Sequence, residues 1–159
     1  MLKTHHTLTL STLAFALAVA GPAHAQRSKG VAQAVAVVQA PEAAVEICHA
    51  STARGAEDCA LGRCQKKAGR GACYSVTVCA PSGWTGIMGV QLKEVHFSES
   101  VCGAPSKEAV LTALNAFCRG HMPNLLQCTV AQVWAPNGKP EKVDVTWTPT
   151  DLRNSQATP

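Results

Sequence analysis

No two cysteines of this chain stand in a CxxC pair, which removes the usual thiol–disulfide exchange motif. Nor is there a GxSxG elbow, an HExxH helix, a phosphate-binding loop or a dinucleotide fingerprint. Glu94, Glu99, Glu108 and Asp144 are not spaced to set two carboxylates on one face across a cleft, as hydrolysis would need. Charged residues make up 15% of the sequence and the formal net charge is +4. Such a mild balance favours solubility and weak attraction to anionic surfaces, far from the dense basic patch of a nucleic-acid binder. Past residue 25 no run is long and apolar enough to cross a bilayer as a helix. These absences point away from an enzyme, from any cofactor, from nucleic acid and from a membrane-spanning role.

What is present begins with a targeting segment. Lys3, His5 and His6 precede an apolar run from Leu8 to Ala20; Gly21-Pro22 breaks it, and Ala23-His24-Ala25 has the small-x-small form that signal peptidase reads. Residues 1–25 are therefore expected to be a signal peptide, with cleavage after Ala25. Loss of Lys3 brings the net charge to about +3. Gln26, not a cysteine, becomes the new terminus, so a lipid-anchored form is not expected. The expected location is the periplasm or the medium. Residues 26–150 are enough for one domain with one modest core, and 151–159 are expected to be a flexible tail.

All eight cysteines follow the signal, and an even count in an exported protein reads first as four disulfides. Each would stabilise by roughly 2–4 kcal/mol, mainly by limiting the unfolded chain. Half of them fall between Cys59 and Cys79, the stretch around which the chain is organised.

Val31 to Ala40 is valine-rich and expected as a strand, although its alanines also suit a helix; Val45 to Ile47 alternates briefly before Cys48. A first helix should start at a Ser51 or Thr52 cap and run to about Lys67, with Ala53, Ala56, Ala60 and Cys64 as a stripe of small residues. Gly55 and Gly62 weaken that helix, while Lys66 and Lys67 suit its C-terminal end. Ala72 to Cys79 should be a strand with Tyr74, Val76 and Val78 on one face. Trp84 to Phe97 reads as one or two strands and Ser98 to Pro105 as a loop. A second helix, capped by Ser106, presents Ala109, Val110, Ala113, Leu114, Phe117 and Cys118 on one broad face and ends at Gly120. Gln127 to Trp134 is strand-like, and Lys142 to Thr148 alternates most cleanly of all.

A repeat runs through this pattern. Ala56, Ala60, Leu61, Cys64 and Cys73 precede one strand; Ala109, Ala113, Leu114, Cys118 and Cys128 precede another. In both, a cysteine at the helix end is followed by one near the strand start, which predicts Cys64–Cys73 and Cys118–Cys128 staples. Cys59 aligns with Thr112 and has no counterpart. By elimination, Cys48 pairs with Cys59, and Cys79 with Cys102, closing a two-strand insertion.

The spacing of Ala60-Leu61, Cys64, Cys73 and Cys79-Ala80, then Ala109, Ala113-Leu114, Cys118 and Cys128, resembles the DUF4189 family of small exported bacterial proteins. The resemblance covers roughly 56–133. It implies an exported α+β domain and carries over no catalytic residues. Family members usually have an aromatic, glycine-rich segment before the first helix and a terminal cysteine after the second repeat strand. His49 to Gly55 and Trp134 stand near those places here.

The fold expected is α+β: two helix–strand repeat units, with both helices on one face of an antiparallel or mixed sheet, stapled by disulfides. Cys48-His49 sets a thiol type beside a base, but neighbours on a strand point to opposite faces. His49, His96 and His121 are types a metal accepts, in a spacing that matches no compact site. Trp84, after the Pro81-Ser82-Gly83 turn, is a candidate exposed anchor or equally a lid on the core. Arg63, Lys66, Lys67 and Arg70 form a positive helix end that could meet an acidic protein or envelope polymer, or be a solvated face. The function expected is partner binding in the cell envelope, as an inhibitor or immunity protein. The alternatives are a structural envelope protein, or a metal binder or small hydrolase.

Overall fold

A computed structural model describes residues 33–154 except position 42. The expected signal peptide, and residues 155–159 of the expected tail, lie outside the described residues.

Two halves share one plan. The first is a hairpin of β1 (Ala34–Ala40) and β2 (Ala44–Ala50), then helix α1 (Ala53–Ala68) and strand β3 (Tyr74–Cys79). The second is a hairpin of β4 (Trp84–Leu92) and β5 (His96–Ala104), helix α2 (Lys107–Gly120) and strand β6 (Leu125–Trp134). In each the first strand is central and antiparallel to both neighbours, giving the orders β2-β1-β3 and β5-β4-β6. The second half also carries β7 (Pro140–Glu141), β8 (Thr146–Trp147) and a last short helix, α3 (Pro149–Asn154).

The fold is thus α+β, with helices packed against antiparallel sheets and four disulfides: Cys48–Cys59, Cys64–Cys73, Cys79–Cys102 and Cys118–Cys128. The expected single sheet is corrected to two, each with its own helix. The loop expected from Ser98 is strand β5, so the supposed insertion is the opening hairpin of the second half. The tail expected from 151 is helical to Asn154, and Leu152 is buried in the second core.

The helices form where their caps and stripes dictate. Thr52 Oγ1 accepts from the Gly55 amide at 3.1 Å, and Ser106 Oγ accepts from the Ala109 amide at 3.1 Å. The stripe Ala56, Ala60 and Cys64 is fully buried on α1; on α2 the matching stripe is Val110, Leu114 and Cys118. The sequence repeat had aligned Ala109 and Ala113 with the alanines, one residue out. Cys59 therefore matches Ala113, and Phe117, expected on the buried face, is exposed.

Stripe size sets how the sheet beneath must be built. Under α1 the strand offers Ala34, Ala36 and Val38, small against small. Under α2 the bulkier Val110 and Leu114 meet Gly86, where an added Cβ would overlap Val110.

Each sheet is also covered on its second face. Val35 and Val37 point away from α1 and are buried, as are Thr85 and Ile87 on β4. Contacts between the halves fall on these faces. His49, the register partner of Val35, lies against Gly138 in the turn after β6, and Thr77, the partner of Val37, touches Cys102 Sγ at 3.5 Å. Cys79, also opposite Val35, is bridged to Cys102. The two sheets thus face each other with the helices outside.

Two strand expectations change. In β3 the register slips between Val37 and Val38, so that Val76 bulges. Tyr74 then shares the inner face with Thr77, while Ser75 turns to α1 and donates to Glu57 Oε1 at 2.5 Å. Of Lys142 to Thr148 only Thr146–Trp147 pairs as strand, although Val143, Val145 and Trp147 all pack on the second core as the alternation required.

Candidate functional site

The two facing sheets are joined at the Cys79–Cys102 bridge and leave a cleft of about 700 Å³ toward the β1–β2 turn. One wall carries Gln39, Val45 and Tyr74; the other carries Gly89, Gln91, Gln127 and Thr129, with Val95 and His96 at the β4–β5 turn. Register fixes these groupings. Gln39 is opposite both Val45 and Tyr74, and Gln91 is opposite both His96 and Gln127. Strand alternation does the rest, because residues two apart along β1 or β4 repeat the same face.

Among the described residues lining the cleft none is Asp, Glu, Lys or Arg. The walls mix amides and hydroxyls with exposed apolar side chains: Val45 is 40% exposed, Tyr74 48% and Val95 54%. Apolar surface left open in a concave site is the usual mark of a binding surface. Gln39 Nε2 donates to the Tyr74 hydroxyl, and Gln127 Nε2 donates to Gln91 Oε1 at 3.2 Å.

The residues singled out in the sequence lie elsewhere, His96 excepted. Trp84 is half-buried and packs against the α2 core. Arg63 Nη1 donates to the Ile47 carbonyl at 3.1 Å, and Lys67 Nζ is 2.5 Å from Glu46 Oε1. Those two basic residues fasten α1 to β2. Lys66 and Arg70 are exposed at the helix end.

The histidines are held apart. His49 is wedged between the halves, with Nε2 buried and unpartnered, and burial pushes its pKa down. His121 follows α2 and meets the Phe97 ring edge-on, centroids 5.2 Å apart. Among the described residues no group of three His, Cys, Asp or Glu could hold a metal ion. Cys48 faces α1, bonded to Cys59, whereas His49 faces the other half, so the adjacent pair cannot act together. Glu108 has its pKa lowered by hydrogen bonds to its own backbone amide and to Ser106, a helix-start role.

Sequence reasoning missed Gln39, Tyr74, Gln91 and Gln127. Their signal was glutamine set into otherwise apolar strands, legible only once the inner face was known. Comparison of the chain with protein-family models, with curated proteins and with solved structures finds no match.

Proposed function

We propose that the protein is exported by its leader, with kinship to the DUF4189 family resting on cysteine and alanine spacing alone. It binds a partner in the cell envelope, as an inhibitor or immunity protein would, through the cleft between its halves. The observation that carries this is the cleft itself, with no Asp, Glu, Lys or Arg among its described lining residues and with Val45, Tyr74 and Val95 left open in its walls. Four bridges and two capped helices hold both walls in place, and a preorganised wall spends little ordering entropy on association.

The test is site-specific photocrosslinking in cells of the source organism. A photoreactive side chain replaces Tyr74 in one variant and Lys66 in another. Capture of one discrete partner from position 74 and not from 66 supports the cleft. Capture from 66 alone would move the site to the basic helix end. The intact mass of the exported chain, beginning at Gln26, tests the leader.

A further inference from the structure

The cleft carries two hydrogen-bonded side-chain pairs, one on each wall. Gln39 and Tyr74 are cross-strand neighbours on β1 and β3; Gln91 and Gln127 are cross-strand neighbours on β4 and β6. Each pair spends one bond on itself. On the first wall the Gln39 carbonyl can still accept and the Tyr74 hydroxyl can still donate. On the second, the Gln91 amide nitrogen can still donate and the Gln127 carbonyl can still accept. Both walls thus present free donors beside free acceptors.

That is the complement of a peptide group, which carries one N–H and one C=O. We propose that the cleft takes an extended, uncharged stretch of a partner polypeptide, its peptide groups held between the Gln39–Tyr74 and Gln91–Gln127 pairs. The proposal rests on reading the cleft as the binding site and names what enters it.

Competing chemistries fit less well. A purely apolar occupant would cover both pairs and leave their remaining donors and acceptors unsatisfied. A charged occupant would lose its hydration and find no opposite charge among the described lining residues. A glycan is neutral, but it has no use for Val45 and Val95, which stand open beside the two pairs. An extended segment does, because its alternate side chains can lie on those valines while its backbone meets the amides.

The experiment is an ¹⁵N NMR titration of the exported, oxidised chain, following the side-chain amide signals of Gln39, Gln91 and Gln127. The probe is a pool of acetylated, amidated hexapeptides randomised over Gly, Ala, Ser, Thr, Val and Gln. Saturable shifts of all three amides are expected. A pool with glutamate or lysine at alternate positions should bind about tenfold more weakly. Gln91→Met, at an exposed position, and Gln39→Met, at a half-buried one where methionine keeps the side-chain length, should each weaken the neutral pool severalfold with backbone spectra otherwise unchanged.

Equal binding of the charged pool, or no shift with the neutral one, overturns the proposal. If an N-acetylglucosamine trimer moves these amides and peptides do not, the ligand class is wrong while the cleft reading stands. The same holds if position 74 crosslinks a partner and no peptide binds. Shifts that appear on raising protein concentration alone would assign the cleft to a second copy. No ligand response together with no crosslink from position 74 removes both readings.

Discussion

Cys48 and Cys102 each stand four residues before the cap of the helix that follows, Thr52 in one half and Ser106 in the other, yet they point to opposite faces of their sheets. Cys48 is opposite Ala36 on the helix side and closes onto Cys59. Around Cys102 the β4–β5 register shifts between Trp84 and Gly86, and Gly103 takes a φ of +76°. The extra residue re-aims Cys102 to the inner face, where Cys79 waits. One bulge converts a staple within a half into the bridge between halves.

Gly103 is therefore expected to matter through pairing as much as through strain. Gly103→Val forces a side chain into a left-handed backbone conformation, at a cost of about 1–3 kcal/mol. It should also leave Cys79 and Cys102 open to alkylation in a fraction of molecules, while the other six cysteines stay protected. Alkylation with mass mapping of the oxidised protein reads this directly; full protection of all eight would show that the bulge does not govern the bridge.

Gly86 and Val110 should behave as a coupled pair. Gly86→Ala places a methyl against the Val110 side chain and is expected to destabilise by about 1–3 kcal/mol. Val110→Ala in the same molecule frees that space, so urea unfolding of the double mutant should fall short of the summed single losses by about 1 kcal/mol. Strict additivity would mean that the helix shifts instead of clashing.

How much of this was legible depended on range. Two cysteine pairings followed from where helices end and strands begin, because Cys64 and Cys118 sit at equivalent turns of their helices, and the other two followed only by elimination. The caps were equally local. What failed was non-local. The second core's stripe is Val110, Leu114 and Cys118, not the alanines, because α2 packs on a glycine and needs bulk. β5 looked like a loop because its serines, Glu99 and Gly103 break any apolar alternation; it is a strand because β4 pairs with it. The cleft glutamines were invisible for the same reason, since no local pattern says that two sheets will face each other.

Arg63 and Lys67 are expected to serve stability, not partner binding. Arg63→Ala loses the bond to the Ile47 carbonyl, and Lys67→Ala leaves the nearly buried Glu46 carboxylate without its cation. Each should cost about 0.5–1.5 kcal/mol in urea unfolding, with the Lys67 effect shrinking in high salt. Crosslinking from position 74 should be unchanged in both. Loss of that crosslink without loss of stability would return the basic helix end to candidacy.

His49 should make the joint between the halves weaker in acid. Its ring lies against Gly138, and Nε2 is buried without a partner. Gly138, which it meets across the joint, and Val35, its cross-strand partner within its own half, are both uncharged and cannot steady an imidazolium. Burial lowers its pKa below the ordinary 6.5, so the folded protein holds it neutral where the unfolded chain has begun to bind a proton. The unfolded state then carries more protons in that window, and stability must rise with pH there. The contribution is complete above about pH 6.5 and is lost as pH falls from there toward the lowered folded value. Urea midpoints measured from about pH 7.5 down to 5 should decline in the native chain. His49→Gln, which cannot gain the charge, should flatten that decline. An unchanged slope in the His49 variant would place the acid sensitivity elsewhere, in groups such as Glu108 and Asp151, whose own lowered pKa values act at still lower pH.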